Sequence, residues 1–173
     1  SYYPHKNLLI TEIVTNFMTA VLKSLNATDF KELNTYSKMK IFIYLILEQG
    51  IQDEGVERVV KSILSDSDSL DRWSQILDDW LRNEGVKHDL GSDRQVQIGL
   101  NFIVTAGGSL YIKRAELDLD ADEISDIMVK TFMSTFLSMD ESKIDQTIDE
   151  AKSALQKYEL ATLTQTINEM FDN

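Results

Sequence analysis

The sequence predicts an all-α protein, and three observations carry that expectation. The chain has one proline and seven glycines in 173 residues, too few breakers for many short strands and turns. Apolar residues recur at steps of three and four through most of its length. The one run that could pass for a buried strand, residues 41–47, is flanked by KMK and EQG with few turn signals nearby, which favours helix. Apolar content of 43% and charged content of 27% belong to a folded chain rather than a disordered one. The length suffices for one domain with a sizeable core.

Taken in order, residues 6–25 form the first helix, with Ile10, Ile13, Val14, Phe17, Met18, Val21, Leu22 and Leu25 at helical spacing behind Pro4. Residues 26–34 break it, and Thr28 and Asp29 are placed to cap a short helical turn. Residues 35–49 follow as a helix, and Gly50 and Gly55 bracket a loop. Residues 56–64 form a short helix with Val56, Val59, Val60, Ile63 and Leu64 on one face. The polar run 65–71 reads as a linker that ends in capping residues. Residues 70–83 put Trp73, Ile76, Leu77, Trp80 and Leu81 on one stripe and stop at Gly85, before a loop at 86–91.

Residues 92–114 are the stretch around which the chain is organised. No charged residue lies between Arg94 and Lys113. Ile98, Phe102 and Ile112 fall on one side of a helical wheel, and Val96, Leu100, Ile103, Leu110 and Tyr111 on another. A helix apolar on nearly all sides must be covered on nearly all sides. Gly99, Ala106, Gly107, Gly108 and Ser109 supply places where another backbone can come close. The run is near the length of a membrane span, but Gln95, Gln97, Asn101, Thr105 and Ser109 interrupt it and no second such segment exists. The link 117–122 then presents Asp120, Asp122 and Glu123 to the positive end of a helix at 121–139. That helix is also apolar beyond one stripe. Residues 140–158 instead make a single stripe of Ile144, Ile148, Ala151, Leu155 and Tyr158, and 160–171 continue it or form a last short helix. Pairing 92–114 and 121–139 with their copies in a two-fold four-helix bundle would cover both. The alternative is that both are simply central in a monomer.

A net charge of -12 repels nucleic-acid phosphates overall, so any DNA contact must lie in a local patch or in another part of the protein. The absence of cysteine excludes disulfides and thiolate metal sites. No signal peptide is visible, and a cytoplasmic protein is the plain reading. Catalysis is poorly supported. His5 and His88 have no partner arrangement that sequence can vouch for, and no HExxH, phosphate loop or nucleophile elbow occurs. Asp118, Asp120 and Asp122 alternate as in calcium loops, but Val129 stands where the twelfth-position Glu belongs, and capping explains them better. Phe17, Tyr44, Trp73, Trp80 and Phe102 can line one apolar pocket with Asn101 and Thr105 as polar groups, or they can be ordinary core.

The first residues point to a family. Tyr2 and Tyr3 as an aromatic pair, Pro4, Lys6 and then Leu9 resemble the junction between the DNA-binding head and the effector domain of TetR-family transcriptional regulators, with Asn7 in place of the commoner acidic residue. The order of 77–85, Asp93, the small-residue centre 106–108, the acidic link 118–123 and a last apolar helix is also similar to that family's ligand domain. The resemblance covers most of residues 2–137. It implies a multi-helix effector domain in which 92–114 and 121–139 form the four-helix-bundle dimer interface. Residues 1–6 would be the tail of the helix-turn-helix head, 7–139 the ligand-binding and dimerisation domain, and 140–173 a helical extension.

The function implied is a ligand-responsive repressor. A small, mostly apolar effector would enter between 6–25, 35–49, 70–83 and the central helix, reposition the 6–25 helix and release operator DNA. The implied ligand-binding residues are Phe17, Tyr44, Trp73, Leu77, Trp80, Ile98, Asn101, Phe102 and Thr105. The implied dimer contacts are Gly99, Ile103, Gly107, Leu110, Ile127, Met128, Thr131 and Thr135. Tyr2 and Lys6 would touch DNA phosphate through a head that is missing from this chain. The partners are thus a second copy, operator DNA and an effector, with no membrane, metal or cofactor. A helical protein–protein interaction module without small-molecule or DNA partner is the rival reading, and an all-α enzyme is the least favoured.

Overall fold

The structure is a computed structural model and describes residues 3–27, 29–84 and 93–157. Among the described residues there are eight α-helices and no strand, as the scarcity of breakers and the helical periodicity predict. They are α1 (Tyr3–Ala27), α2 (Thr35–Gln52), α3 (Glu54–Leu64), α4 (Ser67–Asn83), α5 (Asp93–Ile112), α6 (Arg114–Leu117), α7 (Ala121–Thr131) and α8 (Glu141–Lys157). A 3-10 turn (Asp29–Glu32) follows α1, and a wide π turn (Phe132–Phe136) extends α7. No helix among the described residues is long and apolar enough to cross a membrane.

Side-chain caps set four of the helix starts. Asn34 Oδ1 accepts from Ser37 N at 2.9 Å, Asp53 Oδ1 from Val56 N at 3.0 Å, Asp66 Oδ2 from Ser69 N at 3.0 Å and Asp120 Oδ1 from Glu123 N at 2.8 Å. Each satisfies a donor that the first helical turn leaves orphaned. The acidic runs at 65–71 and 117–122 are therefore mostly helix starts. The linker expected over 65–71 shrinks to Ser65 and Asp66.

Gly50 and Gly55 do not bracket a loop. Gly50 is buried inside α2 and Gly55 lies in the first turn of α3, with Asp53 alone between the helices. Gly50 is needed for close approach: a Cβ there would lie 2.6 Å from Tyr111 Oη. That hydroxyl donates to Gly50 O at 2.8 Å, capping one of the carbonyls that the end of α2 leaves free. Tyr111 is fully buried, and burial pushes its phenol up to about 12. Arg114 stacks over the Tyr111 ring at 4.4 Å and pairs with Glu57 at 3.2 Å, which ties α3 to the end of α5.

The helix covered on all sides is α2. Residues from Tyr36 to Leu47 are buried in every turn, including Lys38 and Lys40. α7, α3 and α8 pack around it, α1 lies across α4, and α5 is held between α4 and α7. α8 belongs to the same core through Ile144, Ala151 and Ala154. It is fixed to the start of α2 by Asn34 N–H donating to Glu150 Oε1 at 2.8 Å and Ser37 Oγ donating to Thr147 O at 3.0 Å. The expected helix 121–139 is regular only to Thr131. Gly99 on α5 has no side chain, and Phe132 and Phe136 of the widened turn fill that space: a Cβ on Gly99 would lie 2.8 Å from Phe136 Cγ and 2.9 Å from Phe132 Cε1.

Candidate functional site

An apolar cavity lies where α1, α2, α4 and α5 converge. α1 contributes Met18, and α2 contributes Phe42, Ile43, Ile46 and Leu47. Trp73 and Leu77 come from α4, and Val104, Gly107 and Gly108 from α5. Leu64 at the end of α3 and Met128 of α7 close it. The cavity volume is about 20 Å³, space for about one water. No charged side chain is in the lining. The two glycines allow the close packing that makes this wall. A Cβ on Gly107 would collide with Met128 Sδ, and one on Gly108 would come within 2.9 Å of Leu64 Cδ2. The cavity lies among the four segments between which the resemblance implies that an effector would enter, and two of the residues so named, Trp73 and Leu77, line it.

The other named residues lie elsewhere. Phe17 is half-buried at the edge of the core. Tyr44 is half-buried, and Lys40 Nζ sits 5.5 Å from its ring centre. Desolvation, then the Glu48, Asp122 and Asp120 carboxylates, push its phenol upward. Trp80 borders a separate groove of about 530 Å³ between α1 and α4, with Leu22, Arg72 and Asp79. Gln97 and Asn101 line a polar groove against α4. Ile98, Phe102 and Thr105 face outward, so they are not cavity residues.

The two faces of α5 are thus exchanged relative to expectation. Gly99, Ile103 and Gly107 are buried against their own chain and are not available to a second copy. Met128 likewise points into the cavity, and Leu110 is half-buried. The outward stripe is Ile98, Phe102, Thr105, Ser109 and Ile112, spaced at four, three, four and three residues. Phe102 is 55% exposed, and Ile98 and Ile112 are 44% and 46% exposed. From Gln95 to Ile112 every exposed position of α5 is uncharged. Phe136 stacks at a tilt on Phe102, with ring centres 5.4 Å apart, and carries the surface onto the α7 side. There Ile127 is 44% exposed, Thr135 is exposed and Thr131 is half-buried.

One charge cluster around a buried lysine fixes α7 to α2. Lys40, 1% exposed, reaches Asp122 Oδ1 and Asp126 Oδ1, each at 2.9 Å. It also donates to Asp122 O at 2.8 Å and to Ser125 Oγ. Asp120, Asp122 and Asp126 are thereby occupied in capping and ion pairing. The alternating aspartates signal this helix start in the sequence, but nothing there marks Lys40 as their partner. Met18, Met128 and the α2 lining residues were also missed, because an apolar side chain at helical spacing is the same in sequence whether it meets a cavity or a neighbour. Tyr2, Gly85, His88 and residues 160–171 lie outside the described residues, as does the Lys6 side chain.

Compared with protein-family models, curated proteins and solved structures, the chain matches none.

Proposed function

We propose that this chain is the effector-binding and dimerisation domain of a ligand-responsive transcriptional repressor of TetR type, acting in the cytoplasm. The observation that carries the reading is the two-sidedness of α5. Its inner side forms part of an apolar cavity, and its outer side is an exposed apolar stripe without charge. A contiguous exposed apolar face on a chain this acidic suits an interface between proteins. Two α5–α7 pairs related by a two-fold axis make a four-helix bundle with Ile98, Phe102, Ile112 and Ile127 at its seam. Across the domain, a small apolar effector occupies the cavity against Met18 and shifts α1. Through α1 it changes the spacing of two DNA-binding heads, whose phosphate contacts include Tyr2 and Lys6.

Two measurements test this. Sedimentation of the chain is expected to give twice the single-chain mass, falling to one chain in Phe102→Asp with helix content unchanged. Gel shift of the intact protein is expected to show operator binding that an apolar effector releases; absence of operator affinity under every condition sinks the repressor reading. The same outer face also favours the interaction-module reading. A chain that is monomeric at high concentration while that face remains apolar and free would support it instead.

A further inference from the structure

The exposed stripe of α5 is arranged symmetrically about Thr105. Ile98 and Ile112 lie seven residues before and after it, and Arg94 and Glu116 lie eleven before and after. Steps of seven and eleven residues are close to whole numbers of helical turns, so all five share one face, and all five are exposed. Glu116 belongs to α6, but Lys113 N donates to Ser109 O at 3.1 Å and Leu117 N to Lys113 O at 3.0 Å, so the helical path of α5 runs on past it. Arg94 and Glu116 make no ion pair among the described residues. Close to the centre the sizes are unequal, with Phe102 on one side of Thr105 and Ser109 on the other.

We propose that two copies of this chain meet with α5 antiparallel on α5, the two-fold axis at Thr105, and the register locked by Arg94 against Glu116 of the partner subunit. The inference rests on the dimer reading and adds the direction of the pairing and the residues that select it. A two-fold contact sets each residue on its counterpart twice over. Here Ile98 meets the partner's Ile112, and Phe102 enters the space beside the partner's Ser109. The other ways of stacking the two helix pairs set like on like. Parallel pairing of α5 puts Arg94 on the partner's Arg94 and Glu116 on the partner's Glu116. α7 runs antiparallel to α5, with Met128 at Gly107 and Phe136 at Gly99. Pairing α5 on α7 therefore brings Glu116 toward the partner's Glu123. The Arg94–Glu116 pairs stand at the exposed rim, so they choose the register, while the apolar stripe between them supplies most of the affinity.

The chain has no cysteine, so one introduced thiol reports its own neighbourhood. A disulfide needs Cα atoms within about 7 Å, which only residues facing each other across the seam reach. Under mild oxidation of the full chain, Thr105→Cys is expected to link to its own copy. Ile98→Cys and Ile112→Cys are each expected to stay unlinked alone and to link when mixed. Sedimentation equilibrium gives an independent readout. Glu116→Arg is expected to weaken the dimer about tenfold, although it makes the chain less negative. The double exchange Arg94→Glu with Glu116→Arg is expected to return it to within about twofold of the unaltered chain. All the altered positions are exposed, and helix content checks that each variant folds. In a chain that still sediments as a dimer, an unlinked Thr105→Cys, an Ile98→Cys that links to itself, or a Glu116→Arg without effect overturns this register and leaves the dimer standing. A chain that sediments as one copy at high concentration removes the dimer reading and this inference with it.

Discussion

Gly107 is a place where one side chain would be too many. Its missing Cβ makes room for Met128 Sδ, so Gly107→Leu is expected to destabilise the domain by about 1–3 kcal/mol or more through overpacking. A thermal melt would register the loss at any protein concentration, because the clash lies within one chain. The small residues at 106–109 announce a close approach in the sequence. They do not say what approaches, and α7 of the same chain satisfies them as well as a second copy would. Tyr111 makes a complementary point. Tyr111→Phe leaves Gly50 O without its partner in the core, at a cost of about 1–2 kcal/mol in a denaturant titration. Because its folded value is raised, to about 12 from 10.0, the unfolded chain ionises first as pH rises. The Tyr111 contribution is therefore whole below pH 10.0 and is lost on the way to about 12. An alkaline melt of Tyr111→Phe should show a shallower decline over that window than the unaltered chain.

At the scale of helices, the sequence marked the existence and type of each segment well and their ends less well. Breaker logic placed a loop at Gly50, yet a partner sixty-one residues away keeps that glycine inside α2. The π turn after Thr131 was equally invisible, since it depends on Phe132 and Phe136 meeting a side-chain-free spot at Gly99. α5 was legible as too apolar for a single buried stripe, but its orientation was not. The wheel shows two apolar sides, and only the packing of α4 and α7 decides which one is covered. The Lys40 cluster is the chief bond between α2 and the start of α7. Lys40→Met strands two carboxylates, but Asp122 is half-exposed and can rehydrate, so the expected loss is about 1–3 kcal/mol rather than that of a fully buried pair. Equilibrium unfolding in urea would measure it.

At the scale of the whole molecule, the proposed seam joins two chains of net charge -12 through a largely apolar surface, uncharged from Gln95 to Ile112 of α5 and flanked by Glu123 and Lys130 on α7. Self-association should therefore strengthen modestly as salt rises between about 0.05 and 0.5 M and screens that repulsion, whereas a contact built on ion pairs would weaken over the same range. Sedimentation across that range distinguishes them. The all-α class was readable because composition and periodicity act along the whole chain. The cavity was readable only as a meeting of segments, because its walls come from six helices whose relative rotation no single stretch encodes. α7 draws these features together. One end is moored to α2 by Lys40, the other runs into the π turn packed on Gly99 and Phe102, and Met128 lies between. α7 is a beam with a bearing at each end, so a change in the Met128 side chain at mid-span is carried by both bearings at once.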